Sequence, residues 1–538
     1  MVVPTPASPT PSSAPSPAPS PEWIFLNRFA YGPRPGEAQA LRQQGIAHWL
    51  DEQLRLAAAS TAPGPECQQK LESATMRIKY DAGEGWAALD EMRPLRTLDQ
   101  PVDALWSLNQ PDRKLPYQER VRPRLDLAAA TVIRAVYDPA QLRQVMTLFW
   151  HDHFSINAAD SYTAPALPAY DTALRTHALG NFRDLLEAVA TSPAMLIYLN
   201  NRSSRGGAAN ENYARELFEL HTLGRDAYLN TQYDRWRDVP GALKGAPEGY
   251  IDQDVYEASR AFTGWSIQSG QDLGGYKAAN DGRFTYIESW HDNYQKRVLA
   301  AEFDSYQPPQ SDGHRVLDLV ANHPATAQFI CTKMVRSLLG GEPSPELVKA
   351  AAAAWLDNRQ RPDQIARVVR LIALSPQATA NWGARPKRPL ELVASFARAT
   401  GLPVTASEGL VNTMDSAGQK LYAWPTPDGH PIADDYWLGA QNMRARWNLA
   451  LGLAEGWWMP PGLSAGAQMG PAAAHSGQAV AFWSERLLGS PSAIDARALL
   501  GGLSLAADAP PTVDNKTGEF ANRRLAAYVA MSPAFQLR

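Results

Sequence analysis

The stretch NENYARELFELHTLG (210–224) places Glu216, Glu219 and His221 beside apolar residues. If Asn210 caps a helix over this stretch, Glu216 and Glu219 lie on one face, because residues three and four apart are neighbours on a helix. A carboxylate close to an imidazole can hold a divalent metal or transfer protons. We therefore predict that Glu216 and His221 bind a metal ion and that Glu219 takes part in catalysis.

This helix also has a purely structural interpretation. We expect it to run to about Leu223 and to stop at Gly224. Its polar face can then be solvated, with Arg215 paired to Glu219 one turn later, an interaction worth only a few tenths of a kcal/mol. His221 shares no face with Glu219 unless the end of the helix frays and lets the ring swing inward.

A second polar group lies in FWHDHF, which holds His151 and His153 on either side of an aspartate within an apolar helical pattern. Neutral imidazoles and carboxylate oxygens, with one position left open for water, form a catalytic site for a divalent metal. On an α-helix these two rings point about 200° apart, so only one faces a shared pocket unless the helix ends at His151. We predict both histidines as metal ligands together with Glu216 and His221, and the metal's identity stays open. The alternative for each ring is a histidine satisfied within the core.

His291 and Asp292 lie in a part of the chain without helical periodicity. A neighbouring carboxylate can orient an imidazole and raise its basicity. We predict these two residues, with Glu219, as the acid–base catalytic groups.

Other catalytic patterns give little support to any specific reaction. The sequence has no G-x-G-x-x-G after a strand, no G-x-x-x-x-G-K-[ST] and no H-E-x-x-H, which argues against nucleotide cofactors and the zincin mechanism. GLSAG around Ser464 fits G-x-S-x-G but lacks the preceding strand of a nucleophile elbow. YAWPTPDGHPIADDYW (422–437) indicates either an aromatic-lined ligand groove or a proline-stiffened surface loop, and we favour the loop.

The composition excludes several classes of protein. Lys and Arg number 51 against 55 Asp and Glu in 538 residues, so no field of one sign predicts a nucleic-acid partner or an anionic membrane surface. Cys67 and Cys331 are far apart and form no C-x-x-C, which excludes a cysteine-based zinc site and a disulfide framework. No stretch approaches the roughly 18 consecutive apolar residues of a membrane span.

Helical periodicity dominates from Trp23 onward and predicts a mainly α fold, a large multi-helix unit. We expect a helical core over 23–400 and a C-terminal helical part over 401–538 packed on it. About fifty residues from 265 to 315 are rich in glycine, aspartate and aromatics, which predicts an irregular, partly β insertion with RFTYIESW as its best strand.

The first 22 residues alternate proline with serine, threonine and alanine and carry no charge before Glu22. This composition predicts a disordered spacer. Exported proteins often carry such a spacer between a removed signal and the folded body, so we expect a periplasmic or extracellular location.

Six stretches resemble successive signatures of one bacterial family: LNRFAYGPRPGEAQALRQQGIAHWLDEQL, FWHDHF, SPAMLIYLN, NENYARELFELHTLG, DQDVYEASRAFTGWSI and WHDNYQK. From about residue 24 to the C-terminus, the chain is similar to the family catalogued as domain of unknown function 1800 (DUF1800). The resemblance implies a mostly helical, usually exported protein, often encoded beside a sulfatase-like protein, and it implies no reaction. Asn200 departs from the family pattern, which has an aspartate there, and NYQKRVLA follows Asp292 where a glycine and LG are usual.

Two functions remain open from the sequence. The first is an exported enzyme, a metal-dependent hydrolase or an acid–base catalyst, that acts on an envelope or extracellular polymer. The second is a non-catalytic exported scaffold that binds a sulfatase-like protein or a polysaccharide, in which the same polar residues form a buried network. A site requires these side chains to converge on a cavity with unused bonding capacity, whereas a network pairs them with one another.

Overall fold

The computed structural model describes residues 18–110, 114–160, 162–273, 277–380 and 382–538. The protein is 56% helical, and its described part holds 26 α-helices and three two-stranded sheets. The predicted mainly α fold is confirmed. Among the described residues, no helix is both long enough and apolar enough to cross a membrane.

The helices of the first half are short and follow one another closely. They are α1 (Pro21–Phe29), α2 (Glu37–Gln44), α3 (Ile46–Ala59), α4 (Pro65–Ser73), α5 (Val102–Leu105), α6 (Tyr117–Arg120), α7 (Arg122–Tyr137), α8 (Gln141–His153), α9 (Leu167–His177), α10 (Phe182–Ala190), α11 (Pro193–Tyr198), α12 (Glu211–Glu216) and α13 (Asp252–Ala261).

The second half continues in the same way. Its helices are α14 (Ser311–Ala321), α15 (Pro324–Leu339), α16 (Pro345–Asp357), α17 (Gln364–Ala373), α18 (Pro389–Thr400), α19 (Glu408–Ser416), α20 (Asp434–Leu438), α21 (Ala440–Glu455), α22 (Ala465–Met469), α23 (Ser476–Leu488), α24 (Ala496–Gly502), α25 (Glu519–Met531) and α26 (Pro533–Gln536).

The helix boundaries follow the turn and cap residues of the sequence. Gly45, at a φ of 84°, separates α2 from α3 as its position within the periodic pattern predicts. Ser344 caps α16, where its hydroxyl accepts a hydrogen bond from the Leu347 amide. α18 stops at Gly401, which takes a left-handed φ of 65°.

Three antiparallel hairpins supply all the strands of the described part. They pair β1 (Thr75–Tyr80) with β2 (Leu89–Pro94), β3 (Trp265–Ser269) with β4 (Asn280–Tyr286), and β5 (Lys296–Val298) with β6 (Ala301–Phe303). The last two hairpins confirm the predicted insertion, and the first half of RFTYIESW is strand. The β1–β2 hairpin was not predicted from the sequence.

One large hydrophobic core runs through the described chain, from Phe25 in α1 to Phe535 in α26. α18 packs on α7 and α21, and α21 packs on α25, so the segment after residue 400 shares this core. The division at residue 400 stays a prediction. Residues 1–17 of the predicted spacer lie outside the described residues, and Ser20 already caps α1 at Pro21.

Candidate functional site

α8 continues to His153, so the polar residues of FWHDHF point in different directions, as helical geometry predicts. Nε2 of His151 donates a hydrogen bond to Asp171 over 2.9 Å, and Arg175 binds the same carboxylate. Burial raises the pKa of Asp171, but Arg175 and His151 outweigh it and hold the pKa below its ordinary value. His151 therefore belongs to a buried ion-pair network.

His153 faces the other way and binds two groups. Nε2 lies 3.0 Å from the backbone carbonyl of His221, which can only accept, so this nitrogen carries the proton. Nδ1 then has a lone pair, and Lys333 Nζ donates to it over 3.0 Å. Burial first, and then the charge of Lys333, lower the pKa of His153 well below its usual range, so the ring is neutral.

The predicted helix over 210–224 changes form halfway. Asn210 caps it as expected, accepting from the Asn212 amide over 2.9 Å, but α12 ends at Glu216 and a π-helical turn occupies Leu217–His221. The prediction of one regular helix to Leu223 is therefore wrong. π-turns hold an extra residue and are frequent at functional sites.

This π-turn carries the ring of His221 inward, as the fraying alternative predicted. The residue is fully buried, and neither ring nitrogen has a hydrogen-bond partner among the described residues. Burial lowers the pKa of His221 to about 3, with a smaller contribution from Lys333. A buried polar group without a partner is rare and calls for an explanation.

Glu216 and Glu219 differ in their partners. Glu219 binds Arg225 over 2.5 Å, while Arg215 turns to Glu211 and Asp252, so the predicted Arg215–Glu219 pair is wrong.

The half-buried carboxylate of Glu216 has no hydrogen bond or ion pair within the described chain. Burial raises the pKa of Glu216, and the charges of Glu219 and Asp428 raise it further.

Lys333 on α15 lies beside this π-turn. It was not predicted from the sequence as a site residue. Its side chain is partly exposed, and no carboxylate of the described residues lies within ion-pair distance of Nζ. Burial lowers the pKa of Lys333 to about 8, while Asp152 and Asp428 oppose the shift. His153, His221, Lys333 and Asp428 are called the Lys333 cluster below, and Asp428 also acts on Glu216.

Asp152, the middle residue of FWHDHF, joins three segments of the chain. Its carboxylate binds the guanidinium of Arg388 and accepts from Nδ1 of His430 over 2.8 Å. Burial raises the pKa of Asp152, but Arg388 and His430 bring it well below its usual range. Nε2 of His430 is buried and has no partner in the described part of the chain.

Two cavities lie near this part of the chain, and Asp152 lines the smaller one. One has a volume of about 10 Å³, about what one water molecule needs, and is lined by His151, Asp152, Ser155, Tyr422, Trp424 and His430, with Leu148, Ile156 and Leu421. The other has a volume of about 280 Å³ and lies between the end of α15 and the start of α18. Arg388 lines the larger cavity and also binds Asp152, so it connects the cavity to this aspartate.

The segment 422–437 covers the end of α8 as a loop up to Ala433, which fits the favoured interpretation, and α20 begins at Asp434. Ile432, Asp434 and Trp437 of this segment also line the larger cavity. Gly429 lies against the Asp152 backbone, where a Cβ would meet the carbonyl oxygen at 2.0 Å. The ring of Trp424 packs on His430 with 4.8 Å between centroids.

His291 and Asp292 lie elsewhere and do not act on each other. Nδ1 of His291 donates to the Thr263 carbonyl over 2.9 Å, and Nε2 lies 3.3 Å from Asp312. Asp292 instead binds Arg260 through two hydrogen bonds of 2.9 Å. The expected orientation of the His291 ring by Asp292 is therefore wrong, and both ring nitrogens already face acceptors.

The four predicted metal ligands do not meet. His151 and His153 each commit Nε2 to a protein acceptor on opposite sides of α8, and neither acceptor is shared with Glu216. Within the described ranges, no three His, Cys, Asp or Glu side chains are grouped so that they could hold one metal ion. These residues do not fit a common metal centre, and the metal stays a prediction without geometric support.

Comparison with known proteins gives one match. A family profile described as "Protein of unknown function (DUF1800)" matches residues 24–537. No curated protein and no solved structure matches the chain.

Proposed function

Because this chain belongs to the family described as "Protein of unknown function (DUF1800)", which names no reaction, we propose a function from the site alone: an acid–base enzyme in which Lys333 donates a proton to the substrate and Glu216 accepts one. Its substrate is an envelope or extracellular polymer, in keeping with the expected export. No metal takes part in this proposal. His153 positions Lys333, and the charge of Asp428 acts on both groups.

The contact between Lys333 and His153 carries the proposal. A buried ammonium in a structural network is normally placed against a carboxylate, because an unpaired charge is costly to desolvate. Lys296 in this protein illustrates that arrangement, with Nζ 2.7 Å from Asp312. Among the described residues, Lys333 Nζ contacts two neutral rings, His153 at 3.0 Å and the face of Phe329 at 5.4 Å, yet its side chain is partly exposed and can reach a ligand.

Two further observations support the proposed roles. Lys387 also lacks a carboxylate partner within the described residues, but it is fully buried, so exposure distinguishes Lys333. The lowered pKa of Lys333 and the raised pKa of Glu216 bring both groups closer to neutral pH, where proton transfer by each is most effective.

The first experiment measures the amine and the activity together. Reductive ¹³C-methylation followed by an NMR titration gives a lysine signal with a pKa near 8 that disappears in Lys333→Met, which distinguishes it from the buried Lys387, whose pKa burial lowers to about 7. Soluble polysaccharides and peptidoglycan fragments are then screened for products with wild type, Lys333→Met and Glu216→Gln. The exposed Lys349→Met and Glu211→Gln are the matched controls.

We expect turnover of one polymer class by wild type and both controls, and a loss of at least 100-fold in each site variant, the usual contribution of one acid–base group. Absence of a shifted lysine signal, or equal turnover by Lys333→Met, contradicts the proposal.

A second candidate function is the non-catalytic scaffold that binds a sulfatase-like protein or a polysaccharide. The pairing of His151, His291 and Asp292 within buried networks favours it. In that case Lys333→Met changes stability and leaves polymer binding intact, and no product is formed by any variant.

A further inference from the structure

The cavity of about 280 Å³ is lined by three arginines and few acidic groups. Its walls are Arg336, Ser337, Gly340, Gly341, Glu342, Arg385, Pro386, Arg388, Ile432, Asp434 and Trp437. Two of the guanidiniums are paired with carboxylates outside the lining, Glu391 and Asp152, so unused guanidinium N–H donors, and not a net positive charge, are what the wall offers an anion. A concave space with a few convergent polar groups is the usual form of a small-ligand site.

The arginines differ in how much of their bonding capacity is used. Arg385 is saturated, because Glu391 binds both terminal nitrogens and the Ser337 carbonyl accepts from Nε. Arg388 uses only Nη1, on Asp152, and its other guanidinium nitrogens have no hydrogen bond within the described residues. The carboxylate of Asp152 holds this guanidinium in place, and Trp437 packs against it at 5.3 Å.

Arg336 is free to rearrange. Its one ion pair among the described residues, to Glu342 over 3.3 Å, joins a side chain that is 40% exposed to one that is 87% exposed. Such surface pairs contribute little, and a ligand can displace them at small cost. Asp434, on the same wall, has no hydrogen bond or ion pair in the described part of the chain, so it can accept from a hydroxyl group.

We propose that this cavity binds an oxyanion, the carboxylate or sulfate of an acidic sugar unit, through Arg336 and Arg388, while Asp434 accepts a hydrogen bond from a neighbouring hydroxyl group. Guanidinium forks match planar and tetrahedral oxyanions with paired N–H donors. Arg388 places the bound unit next to Asp152, which interacts with Lys333. The assignment of the bound unit to the substrate rests on the proposed function. Binding of the oxyanion in this cavity does not depend on that function.

The test compares sugars that differ in charge. Isothermal titration calorimetry is carried out on the full chain with glucuronate, glucose 6-sulfate and glucose. We expect at least one of the two acidic sugars to bind at least tenfold more tightly than glucose, and the tighter one identifies the oxyanion. Arg336→Gln is expected to weaken that binding about tenfold, because one charge-assisted contact is lost.

Arg367→Gln serves as the matched control, since this arginine is similarly exposed and pairs with Asp363 one turn away on α17. It should leave binding unchanged, as should Lys333→Met. Retained binding in a Lys333 variant without activity separates this site from the proposed catalysis. Equal affinity for all three sugars, or unchanged acidic-sugar binding in Arg336→Gln, overturns the proposal.

Discussion

Nδ1 of His430 donates to Oδ1 of Asp152 over 2.8 Å, although 278 positions separate the two residues. Arg388 binds the second oxygen of the same carboxylate. One aspartate thus fastens the loop over 422–437 and the start of α18 to the end of α8. The next residue, His153, is the one that binds Lys333.

Replacing this aspartate should destabilise the protein strongly. Asp152→Asn leaves the Arg388 guanidinium without its carboxylate in a mostly buried site, and breaking such a pair costs about 3 kcal/mol. The free energy of unfolding is measured by urea titration. Asp90→Asn, which breaks an exposed pair with Arg77, is the control and should be nearly neutral. Equal stability of the two variants contradicts the role of Asp152 as a fastening point.

Lys333→Met should change the pH dependence of stability. The pKa of Lys333 is about 8 in the folded state against 10.5 for the ordinary side chain, so between these values the unfolded chain holds a proton that the folded chain lacks. The stability contribution of Lys333 therefore rises with pH, by about 1 kcal/mol from pH 7 to pH 9.

The free energies of unfolding of wild type and Lys333→Met are measured by urea titration at pH 7 and at pH 9. From pH 7 to pH 9, wild type should gain about 1 kcal/mol of stability relative to Lys333→Met. Lys349→Met should show no such shift. A constant difference for Lys333→Met means that the amine has an ordinary pKa.

His221 should destabilise the protein in mild acid. Its pKa of about 3 in the folded state lies below the ordinary 6.5, so as pH falls the unfolded chain takes up a proton that the folded chain cannot. Between pH 7 and pH 5 this removes about 2 kcal/mol of stability. His221→Leu lacks the imidazole, so its free energy of unfolding, measured by urea titration, should fall by about 2 kcal/mol less than that of wild type between pH 7 and pH 5. The exposed His48→Gln is the control, and it should follow wild type.

Gly429→Ala should displace the loop that carries His430. The residue has a φ of 75°, and a Cβ would meet the Asp152 carbonyl oxygen at 2.0 Å. The left-handed conformation alone costs an alanine about 1 kcal/mol, and the contact adds to it, so we expect a loss above 2 kcal/mol. Gly501→Ala in α24 meets no atom within 4 Å and should stabilise the helix by up to about 1 kcal/mol. Thermal melts of the two variants that shift in the same direction would falsify this assignment.

Much of the fold could be predicted from the sequence, because local hydrogen bonds and side-chain periodicity determine it. The Asn210 cap, the break at Gly45 and the β insertion after Trp265 each depend on residues a few positions apart. Helical geometry also predicted correctly that His151 and His153 point apart.

The candidate site could be predicted only in part. The motif around Glu216 and His221 was predicted as a site because polar residues interrupt an apolar pattern. His221 does lie in the Lys333 cluster, and Glu216 interacts with Asp428 of that cluster. Lys333 itself gave no signal, because a single lysine on an amphipathic helix usually faces solvent. His430 lies in a stretch rich in prolines and aromatic residues. The predicted stiffness of that loop was the one sequence feature that indicated a fixed side chain at His430.

The sequence by itself determined the helices, their ends and the residues that carry unusual polarity, since these follow from contacts within about one helical turn. The tertiary structure decided which of those residues meet. Lys333 and His153 are 180 positions apart, and the pairing of His151 with Asp171 rather than with a metal depends on how α9 packs on α8. Local periodicity carries no information about such long-range packing, so the partners, charges and cavities of the site emerge only from the folded chain.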